Sequence, residues 1–442
     1  MARQDEQVNP TEDGQPTIPH ADVLATIPAL LPGLESVYLD LHQHPELSGQ
    51  EQRTAGIAAA ALRSAGFEVT EGVGGYGVVG VLTNGDGPVV WVRADMDALP
   101  VKENTGLEYA STATGIDPDG NEVPVAHVCG HDMHVAVMMG ASAVLAATRH
   151  RWSGTLVVIF QPAEELLGGS DAMIADGMLE RFPHPDVVLG QHVAPLPAST
   201  IFYREGAALA GSDVVQIRLF GKGGHGSRPE TTIDPIVMAA SLIMRLQTIV
   251  AREIPPSTAA VVTVGSVVSG NKDNIIPDEA LLKMTVRSFT PEVRSQLLSA
   301  IERMAKAEAL ASGAPTEPEI TYPESAPVLN NDPAATARVV AALTAVMGPM
   351  RVIPSPQPGT GSEDFGQFGT AAKCPSVFWF LGGADLNLFL PPADAVEVFE
   401  NLPSNHSPEY APVIEPTLQT GIEAMVLASL AWLAAPVGDS GS

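Results

Sequence analysis

The chain has 442 residues, more than one compact core usually holds, so at least two domains are expected. Its formal net charge of −28 argues against nucleic acid and anionic membrane surfaces as partners. Two cysteines cannot build a disulfide framework, and the polar, acidic start lacks the pattern of a signal peptide. No apolar run approaches the roughly 20 residues of a membrane span. These features predict a cytoplasmic protein without a membrane partner and with disordered ends at residues 1–17 and 436–442.

The first part of the chain predicts an α/β fold. Apolar runs rich in β-branched residues alternate with helical patterns, which is typical of a mixed, largely parallel sheet flanked by helices. The predicted strands span residues 78–82, 89–94, 156–161 and 187–192, and the predicted helices span residues 22–46, 50–65 and 134–147.

Ionisable side chains follow three of these strands. The second strand runs into Asp95 and Asp97. The third runs into Glu164 and Glu165, and the fourth runs into His192. Ligands of open α/β sheets bind at the carboxyl ends of strands, so these side chains are expected at one edge of the sheet. Taken singly, each has an ordinary alternative as a helix cap, a solvated carboxylate or a core histidine, but their shared placement favours a site.

The pattern changes near Gly211 and predicts an inserted domain. Strands and helices alternate there in the order β-α-β-β-α-β, which is that of a ferredoxin-like α+β unit. We therefore predict a first domain in two parts, residues 20–212 and 323–436, interrupted by an inserted domain over residues 213–322. The predicted strands of the insertion span residues 214–220, 258–268, 280–289 and 318–322, its helices 233–250 and 291–311, and the elements after it 333–347, 376–382 and 416–434.

Residues 127–134 (HVCGHDMH) hold three of the 11 histidines and one of the two cysteines. Imidazole, thiolate and carboxylate groups suit a borderline-soft divalent metal such as zinc. Gly130 removes a side chain where Cys129 and His131 would have to converge on one ion. A structural metal site and a chance cluster at a helix start are the alternatives.

Glu164 and Glu165 form an adjacent pair of carboxylates at a predicted strand end. Two such groups repel each other, and a bound cation would relieve the repulsion. One could bind a metal while the other moves a proton of the attacking water. A solvated loop pair is the alternative.

Six motifs occur in an order that resembles the dinuclear-metal amidohydrolases. This group includes hippurate hydrolase, aminoacylase-like enzymes and plant indole-acetyl-amino-acid hydrolases, within the wider carboxypeptidase/aminoacylase metallopeptidase family. The resemblance extends from about residue 30 to residue 435. The motifs are residues 93–100 (RADMDALP), 127–134 (HVCGHDMH), 160–165 (FQPAEE), 223–229 (GGHGSRP), 274–278 (NIIPD) and 362–365 (SEDF).

The resemblance implies two divalent metal ions per subunit. Zinc suits the cysteine and histidine ligands, and manganese, cobalt and nickel are alternatives. It implies that Cys129 bridges the metals, that Glu164 is the general base and that Asp97 orients the site. Asp95 stands where the wider family often has histidine, so it is not among the implied ligands. The residues that match the metal ligands are Cys129, His131, Glu165, His192 and His406.

The resemblance also assigns roles to the inserted domain. His225 would reach the active site of a neighbouring subunit and polarise the scissile carbonyl, which implies a homodimer through residues 213–322. Asn274 and Arg287 would bind a free carboxylate of the substrate, for which the two-pronged arginine side chain is suited. A purely structural glycine-rich turn is the alternative for residues 221–229.

Together these features predict an enzyme that hydrolyses the amide bond of N-acyl amino acids by metal-activated water. A dipeptidase or carboxypeptidase with the same machinery is the nearest alternative, and a non-catalytic metal-binding protein on this fold is another. A serine hydrolase is disfavoured because the chain lacks a Gly-x-Ser-x-Gly motif. Residues 115–125 form a longer segment than expected before the cysteine, and we expect it to reshape the pocket mouth. The sequence does not define the acyl group, the amino acid or the native metal.

Overall fold

The computed structural model describes residues 20–390 and 395–434, so the predicted disordered ends lie outside the described residues. Short 3₁₀ turns occur at Ile27–Ala29, Arg149–Arg151, Pro229–Thr231 and Leu386–Phe389. The helices of the described part are α1 (Ala21–Leu24), α2 (Leu31–Gln43), α3 (Gln52–Ser64), α4 (His131–Ala147), α5 (Gly169–Ala175), α6 (Met178–Arg181), α7 (Pro235–Arg252), α8 (Pro291–Ala311), α9 (Pro333–Met347), α10 (Gly366–Ala372), α11 (Ala395–Asn401) and α12 (Thr417–Trp432).

Strands alternate with these helices on both sides of the inserted domain, and the inserted domain has strands of its own. In the same described ranges they are β1 (Glu68–Val73), β2 (Gly77–Asn84), β3 (Val89–Asp95), β4 (Thr114–Ile116), β5 (Glu122–Pro124), β6 (Gly154–Gln161), β7 (Val187–Pro197), β8 (Ile201–Tyr203), β9 (Gly206–Leu209), β10 (Gly211–Phe220), β11 (Gly224–His225), β12 (Ala260–Val268), β13 (Ile275–Ile276), β14 (Glu279–Ser288), β15 (Glu319–Ala326), β16 (Leu329–Asn331), β17 (Val352–Pro354) and β18 (Ser376–Ala384).

Eight strands form the large sheet, in the order β1-β2-β6-β3-β7-β18-β8-β17. Its centre, β6-β3-β7-β18, is parallel, whereas β1, β2 and β8 join it through antiparallel pairs. Side chains that alternate along β3 and β6 enter two cores on opposite faces, which helices cover. Burial on both faces explains the nearly continuous apolar runs of these strands. The predicted mixed, largely parallel sheet flanked by helices is confirmed.

Two central strands separate at one end of the sheet and open a crevice. The pairing of β3 with β7 ends at Arg93 and Gly190, although β3 continues beside β6 to Asp95. The strand order also reverses here, since β6 lies on one side of β3 and β7 on the other. Such a reversal is where α/β sheets bind ligands. The predicted strand end at His192 is wrong, because β7 continues to Pro197 along its pairing with β18.

The insertion forms a second sheet with its own core. Its order, β12-β14-β10-β15, is antiparallel throughout and is that of a ferredoxin-like fold. Helices α7 and α8 cover one face, where alternate residues of β10 and β14 are buried with them. The ferredoxin-like insertion is confirmed. Its predicted boundaries at residues 213 and 322 stay a prediction, since the sheet itself runs from Gly211 to Ala326.

Helix α7 has the length and apolar composition that could cross a membrane, as does the bent pair Ala21–Ala29 and Leu31–Gln43 if it is counted as one span. The helix is amphipathic in this fold. Met238, Leu242 and Leu246 are buried in the core of the insertion, whereas Val237 and Met244 are exposed. One buried face is what a helix packed on a sheet shows. The absence of a membrane partner and the cytoplasmic location stay predictions.

Two elements differ from the sequence predictions for identifiable reasons. The helix predicted over residues 22–46 is broken into α1, a 3₁₀ turn and α2. Pro28 and Pro32 lie at the starts of the second and third pieces, because proline lacks the N–H that a helix interior requires. Strand β1 was missed because it lies at the sheet edge and is largely exposed, so its sequence shows no apolar run.

Candidate metal centre

A glycine brings the first two candidate ligands against strand β7. Gly130 has a φ of 82° and directly precedes α4. A Cβ atom there would lie 2.4 Å from Val193 Cγ1, so any side chain would push the segment away from the strand. With glycine in place, Cys129 Sγ lies 3.4 Å from Nε2 of His192. The absence of a side chain at Gly130 therefore lets the segment of Cys129 and His131 pack against Val193.

Two candidate histidine ligands engage their Nδ1 atoms. His131 places Nδ1 3.2 Å from Oδ1 of Asp97, and His192 places Nδ1 2.7 Å from the carbonyl oxygen of Val193. In the neutral rings that metal binding requires, these acceptors take the Nδ1 proton and each Nε2 carries a lone pair, as in most metal-binding histidines. The Nε2 atom of His131 is buried and has no hydrogen-bond partner in the described part of the chain.

A strained turn after β6 carries the two glutamates. Ala163 has a φ of 52°, an unusual conformation for a residue with a side chain. Its N–H donates to Glu51 Oε1 at 2.8 Å, and the N–H of Glu165 donates to Asp97 Oδ2 at 3.0 Å. The buried carboxylates of Glu51 and Asp97 thus accept hydrogen bonds from the backbone of the turn, and the side chains of Glu164 and Glu165 line the cavity.

Asp97 contacts two candidate ligands. One carboxylate oxygen contacts the ring of His131, and the other accepts hydrogen bonds from Ser48 and the backbone of Glu165. Burial alone would favour the neutral acid, but the hydrogen bonds from His131 and Ser48 lower the pKa of Asp97. Asp97 is therefore a carboxylate that orients its neighbours.

His406 completes the group from a segment outside regular secondary structure. It has a φ of 72°, and its side chain is 54% exposed. Its Nε2 atom lies 3.2 Å from Glu165 Oε1, and its backbone N–H donates to the carbonyl oxygen of Val128 at 2.7 Å. Cys129, Glu165, His192 and His406 therefore line one cavity, and the fully buried His131 lies next to them, with its Nε2 atom 3.9 Å from Glu165 Oε1.

The chemistry of this group fits divalent cations. Candidate ligand atoms of Cys129, Glu165 and His406 lie within 4.8 Å of one another, and so do those of His131, Glu164 and Glu165. Oε1 of Glu165, like Nε2 of His131, is buried without a hydrogen bond from any described residue. Orphaned acceptor atoms of this kind are costly unless a cation or water satisfies them.

The electrostatics of the group also call for positive charge. Burial, and then repulsion from Glu363 and Glu165, raises the pKa of Glu164 well above its usual value. Burial opposes a charged His131, but the nearby Asp95 and Asp97 outweigh it and raise the pKa of His131 to about 10. Without metal the site is thus so negative that it retains protons, and divalent ions would displace them.

The cavity has a volume of about 780 Å³ and combines these ligands with groups from the insertion. Arg287 of β14 and Val261 of β12 line it beside Glu164 and the metal ligands. His225 and Asn274 are not among its lining residues, and neither is any residue of the hairpin β4-β5. The expectation that residues 115–125 reshape the pocket mouth is therefore wrong, because that segment folds into an exposed hairpin away from the cavity.

The chain is similar to known proteins over most of its length. Residues 91–402 match the model of the peptidase family M20/M25/M40. The chain belongs to this family. Hippurate hydrolase of Campylobacter jejuni is 39% identical over 346 residues, covering 78% of this chain and 87% of the relative. A putative amidohydrolase of Bacillus subtilis, YhaA, is 38% identical over 346 residues, covering 78% and 83%.

Solved structures of the M20/M25/M40 family extend the likeness to nearly the whole fold. A putative aminohydrolase of Staphylococcus aureus superposes with a TM-score of 0.80 at 31% identity, covering 93% of this chain and 99% of that one. YXEP of Bacillus subtilis, described as a dinuclear metal-binding peptidase, gives a TM-score of 0.71 at 29% identity and covers 91% and 98%. The chain is a metal-dependent hydrolase of amide bonds.

Several residues of this M20/M25/M40 centre were not singled out from the sequence. Arg93 is fully buried and binds Asp95, Glu363 and Asp364. A lone arginine within the apolar strand VVWVRAD was the available signal, because a buried arginine needs anionic partners. His134 lies between Asp95 and the N–H of Val193, so both of its nitrogens are already engaged. Both carboxylate oxygens of Asp95 have protein partners, Arg93 and His134, which agrees with the omission of Asp95 from the candidate ligands.

Proposed function

We propose that the protein hydrolyses the amide bond of N-acyl amino acids. The observation that carries this proposal is the environment of Arg287. Its guanidinium lines the cavity of the metal ligands and is partly buried, which lowers its pKa. It donates only to neutral acceptors of the described residues, Thr360 O and Ser362 Oγ. A desolvated guanidinium without an anion is suited to bind a substrate carboxylate two-pronged.

The residues that would hold two divalent ions are Cys129, His131, Glu165, His192 and His406, and Cys129 would be the ligand common to both. Zinc suits the thiolate and imidazole groups, and manganese, cobalt and nickel remain alternatives. When bound, such ions supply Lewis acidity that activates water and polarises a carbonyl.

Glu164 is proposed as the proton carrier of the reaction. Its carboxylate accepts the proton of the attacking water and returns it to the nitrogen of the leaving amine. Without metal, burial and neighbouring carboxylates raise the pKa of Glu164, and bound cations would lower it again, so that the carboxylate is ionised and able to accept a proton. Because Asp97 and Glu51 hold the backbone of this turn, the carboxylate of Glu164 stays directed at the cavity.

His225 and Asn274 are proposed to act on the cavity of a second subunit in a homodimer. The pairing of β11 with β13 places them side by side, and Gly226 donates to the carbonyl oxygen of Asn274 at 2.9 Å. The N–H of Ser227 donates to Nδ1 of His225 at 3.1 Å, which leaves the Nε2 proton free to face a carbonyl oxygen. Arg287, by contrast, lines the cavity of its own chain and is proposed to bind the substrate carboxylate within its own subunit, apart from Asn274.

The acyl end of the substrate would meet an apolar wall. Leu167, Leu209, Val261 and Phe380 line the same cavity, alongside the carboxylates Glu164, Glu165 and Glu363 that belong to the proposed metal centre and its surroundings. The apolar wall favours an uncharged acyl group over the free amine of a dipeptide, which is the alternative that the carboxypeptidase relatives keep open.

A substrate panel tests the proposal. Purified protein would be loaded in turn with zinc, manganese, cobalt or nickel and assayed on matched N-acyl amino acids, N-acyl amino acid amides and dipeptides. We expect the N-acyl amino acids to react fastest and Glu164→Gln to abolish turnover while metal content is retained. Dipeptides reacting faster than their N-acylated forms would favour a dipeptidase, and a variant Glu164→Gln with activity within tenfold of the parent would contradict the proposed base.

A further inference from the structure

We infer that Asn405 is a positioning residue that assembles the metal centre. It directly precedes His406 and is partly buried at the wall of the cavity. Its side-chain nitrogen donates to the carbonyl oxygen of Cys129 and to that of Val193, each at 3.1 Å. The same nitrogen lies 3.9 Å from Cys129 Sγ.

One amide group thereby joins three segments that carry candidate ligands. Cys129 lies just before α4, Val193 follows His192 in β7, and His406 follows Asn405 in the segment before α12. These segments are far apart in the chain, so their relative positions depend on such contacts. An amide NH₂ group has two N–H bonds, and here each has a backbone carbonyl within reach.

His406 depends on this contact more than the other ligands do. The remaining ligands lie on α4, β7 or a turn held by buried carboxylates, whereas His406 is exposed and has a positive φ. Contacts that hold its segment over the centre include the N–H of His406 on Val128, the N–H of Asn104 on Pro408, the amide of Asn104 on Glu409 and the side chain of Asn405. Of these, the side chain of Asn405 alone reaches both Cys129 and β7.

The inference rests on the ligand set of the proposed function, but not on its substrate. Partners that orient metal ligands typically contribute tenfold to a hundredfold to metal affinity. Replacement of Asn405 by leucine keeps a similar shape, removes both donors and adds no metal-binding atom. We therefore expect Asn405→Leu to weaken metal binding by about tenfold or more.

The experiment is a cobalt titration of the metal-free full-length protein against a coloured chelator. The near-ultraviolet absorption of the cobalt–thiolate bond reports separately on the Cys129 sulfur, and this signature should weaken or shift in Asn405→Leu. Asn405→Ala gives a second variant if leucine does not fit. Thermal melting of the metal-free variants establishes that they fold.

Asn331 provides the matched control. Its buried amide also donates to two backbone carbonyls, those of Arg204 and Phe378, at 2.8 and 2.7 Å, but it does not line the cavity. Asn331→Ala should lower the melting temperature and leave cobalt affinity and spectrum unchanged, as a merely structural amide would.

His406→Ala distinguishes failure of the inference from failure of the ligand set. If His406→Ala weakens cobalt binding and folded Asn405 variants bind within twofold of the parent with an unchanged spectrum, the inference is overturned. If His406→Ala also binds normally, the ligand assignment fails and takes the inference with it. Loss of turnover on N-acyl amino acids without loss of cobalt affinity would bear on the proposed function alone.

Discussion

The balance of buried charges determines whether the centre can bind cations. Arg93 is a fully buried cation in the described part of the site, and it forms ion pairs with Asp95, Glu363 and Asp364. Burial is the main reason that the pKa of Glu363 is raised to about 7, even with this partner. Glu164 and Glu165 have no ion pair with a lysine or arginine among the described residues; their ion-pair partners are His131, whose Nε2 lies 3.9 Å from each, and His406. Metal ions would take over the positive charge that protonated His131 supplies without metal.

Arg287 gives a prediction at this scale. A charged hydrogen bond lost from a closed site costs roughly 1.5–3 kcal/mol, or about tenfold to a hundredfold in kcat/KM. Arg287→Ala should therefore weaken hydrolysis of N-acyl amino acids by that factor. It should affect the corresponding amides much less, because they lack the negative charge.

Kinetics on matched acid and amide substrates would measure this difference, and a melting curve would be recorded alongside. Arg287 also holds the loop at Thr360 and Ser362, so a loss of that support would slow both substrates equally. Equal losses for acid and amide would show that Arg287 supports the loop and does not bind the carboxylate.

Which residues were predictable depends on how the site is encoded. The candidate ligands Cys129, His131 and Glu165 stand in compact motifs with distinctive chemistry, such as residues 127–134, so their convergence was expected, whereas His192 and His406 lie outside the six motifs. His42 and Asn405 act through partners far away in the chain, and nothing in their local sequence names those partners. Backbone acceptors in particular, such as the carbonyl of Val193, leave no sequence signal at all.

At the scale of elements, the sequence predicted strands that are buried on both faces, but it did not predict the exposed edge strand β1. The central strands have continuous apolar runs, whereas edge strand β1 has none. Helix ends followed their caps, since Thr290 and Asp332 accept N–H groups at the starts of α8 and α9, which begin at the predicted residues. Strand β7 runs past its predicted end at the polar residue His192, because β18 continues to pair with it as far as Pro197.

A buried histidine connects two helices and a loop near the centre and gives a prediction about pH. His42 of α2 contacts Asp132 of α4 at 2.6 Å and Glu103 at 3.1 Å, and its side chain is 1% exposed. Burial opposes the charged ring, but the two carboxylates raise the pKa of His42 from 6.5 to about 10. The folded state therefore binds this proton more tightly than the unfolded state does.

The stabilisation from His42 should be complete below about pH 6.5 and should be lost as the pH rises toward 10. We expect the free energy of unfolding of the metal-free protein to fall across this range, and His42→Gln to remove much of that slope. Urea unfolding at several pH values measures it. His44→Gln, at a half-exposed histidine of the same region, is the control. Equal slopes for His42→Gln and the parent would contradict the ion-pair assignment.

At the scale of the whole molecule, the proposed catalytic groups are divided between two domains. The domain built on the large sheet carries the proposed ligands and base. The ferredoxin-like insertion carries His225 and Asn274, which do not line the cavity of their own chain. The insertion also exposes apolar side chains on edge strand β12, including Val267 and Val268. Exposed apolar edges of this kind are suited to association with a second copy.

Subunit mixing tests whether His225 acts across a dimer interface. Glu164→Gln removes the proposed base and His225→Ala the proposed carbonyl contact, so each homodimer should be inactive. Their hybrid has one cavity with both groups intact, because Glu164 of one subunit meets His225 of the other. Complete exchange at equal amounts should restore about a quarter of parental activity, since half the dimers are hybrids with one working site each. Mixing Glu164→Gln with the double variant should restore none. Exchange demonstrated by mass spectrometry of tagged subunits, but without recovered activity, would place His225 in its own subunit's site or outside the reaction.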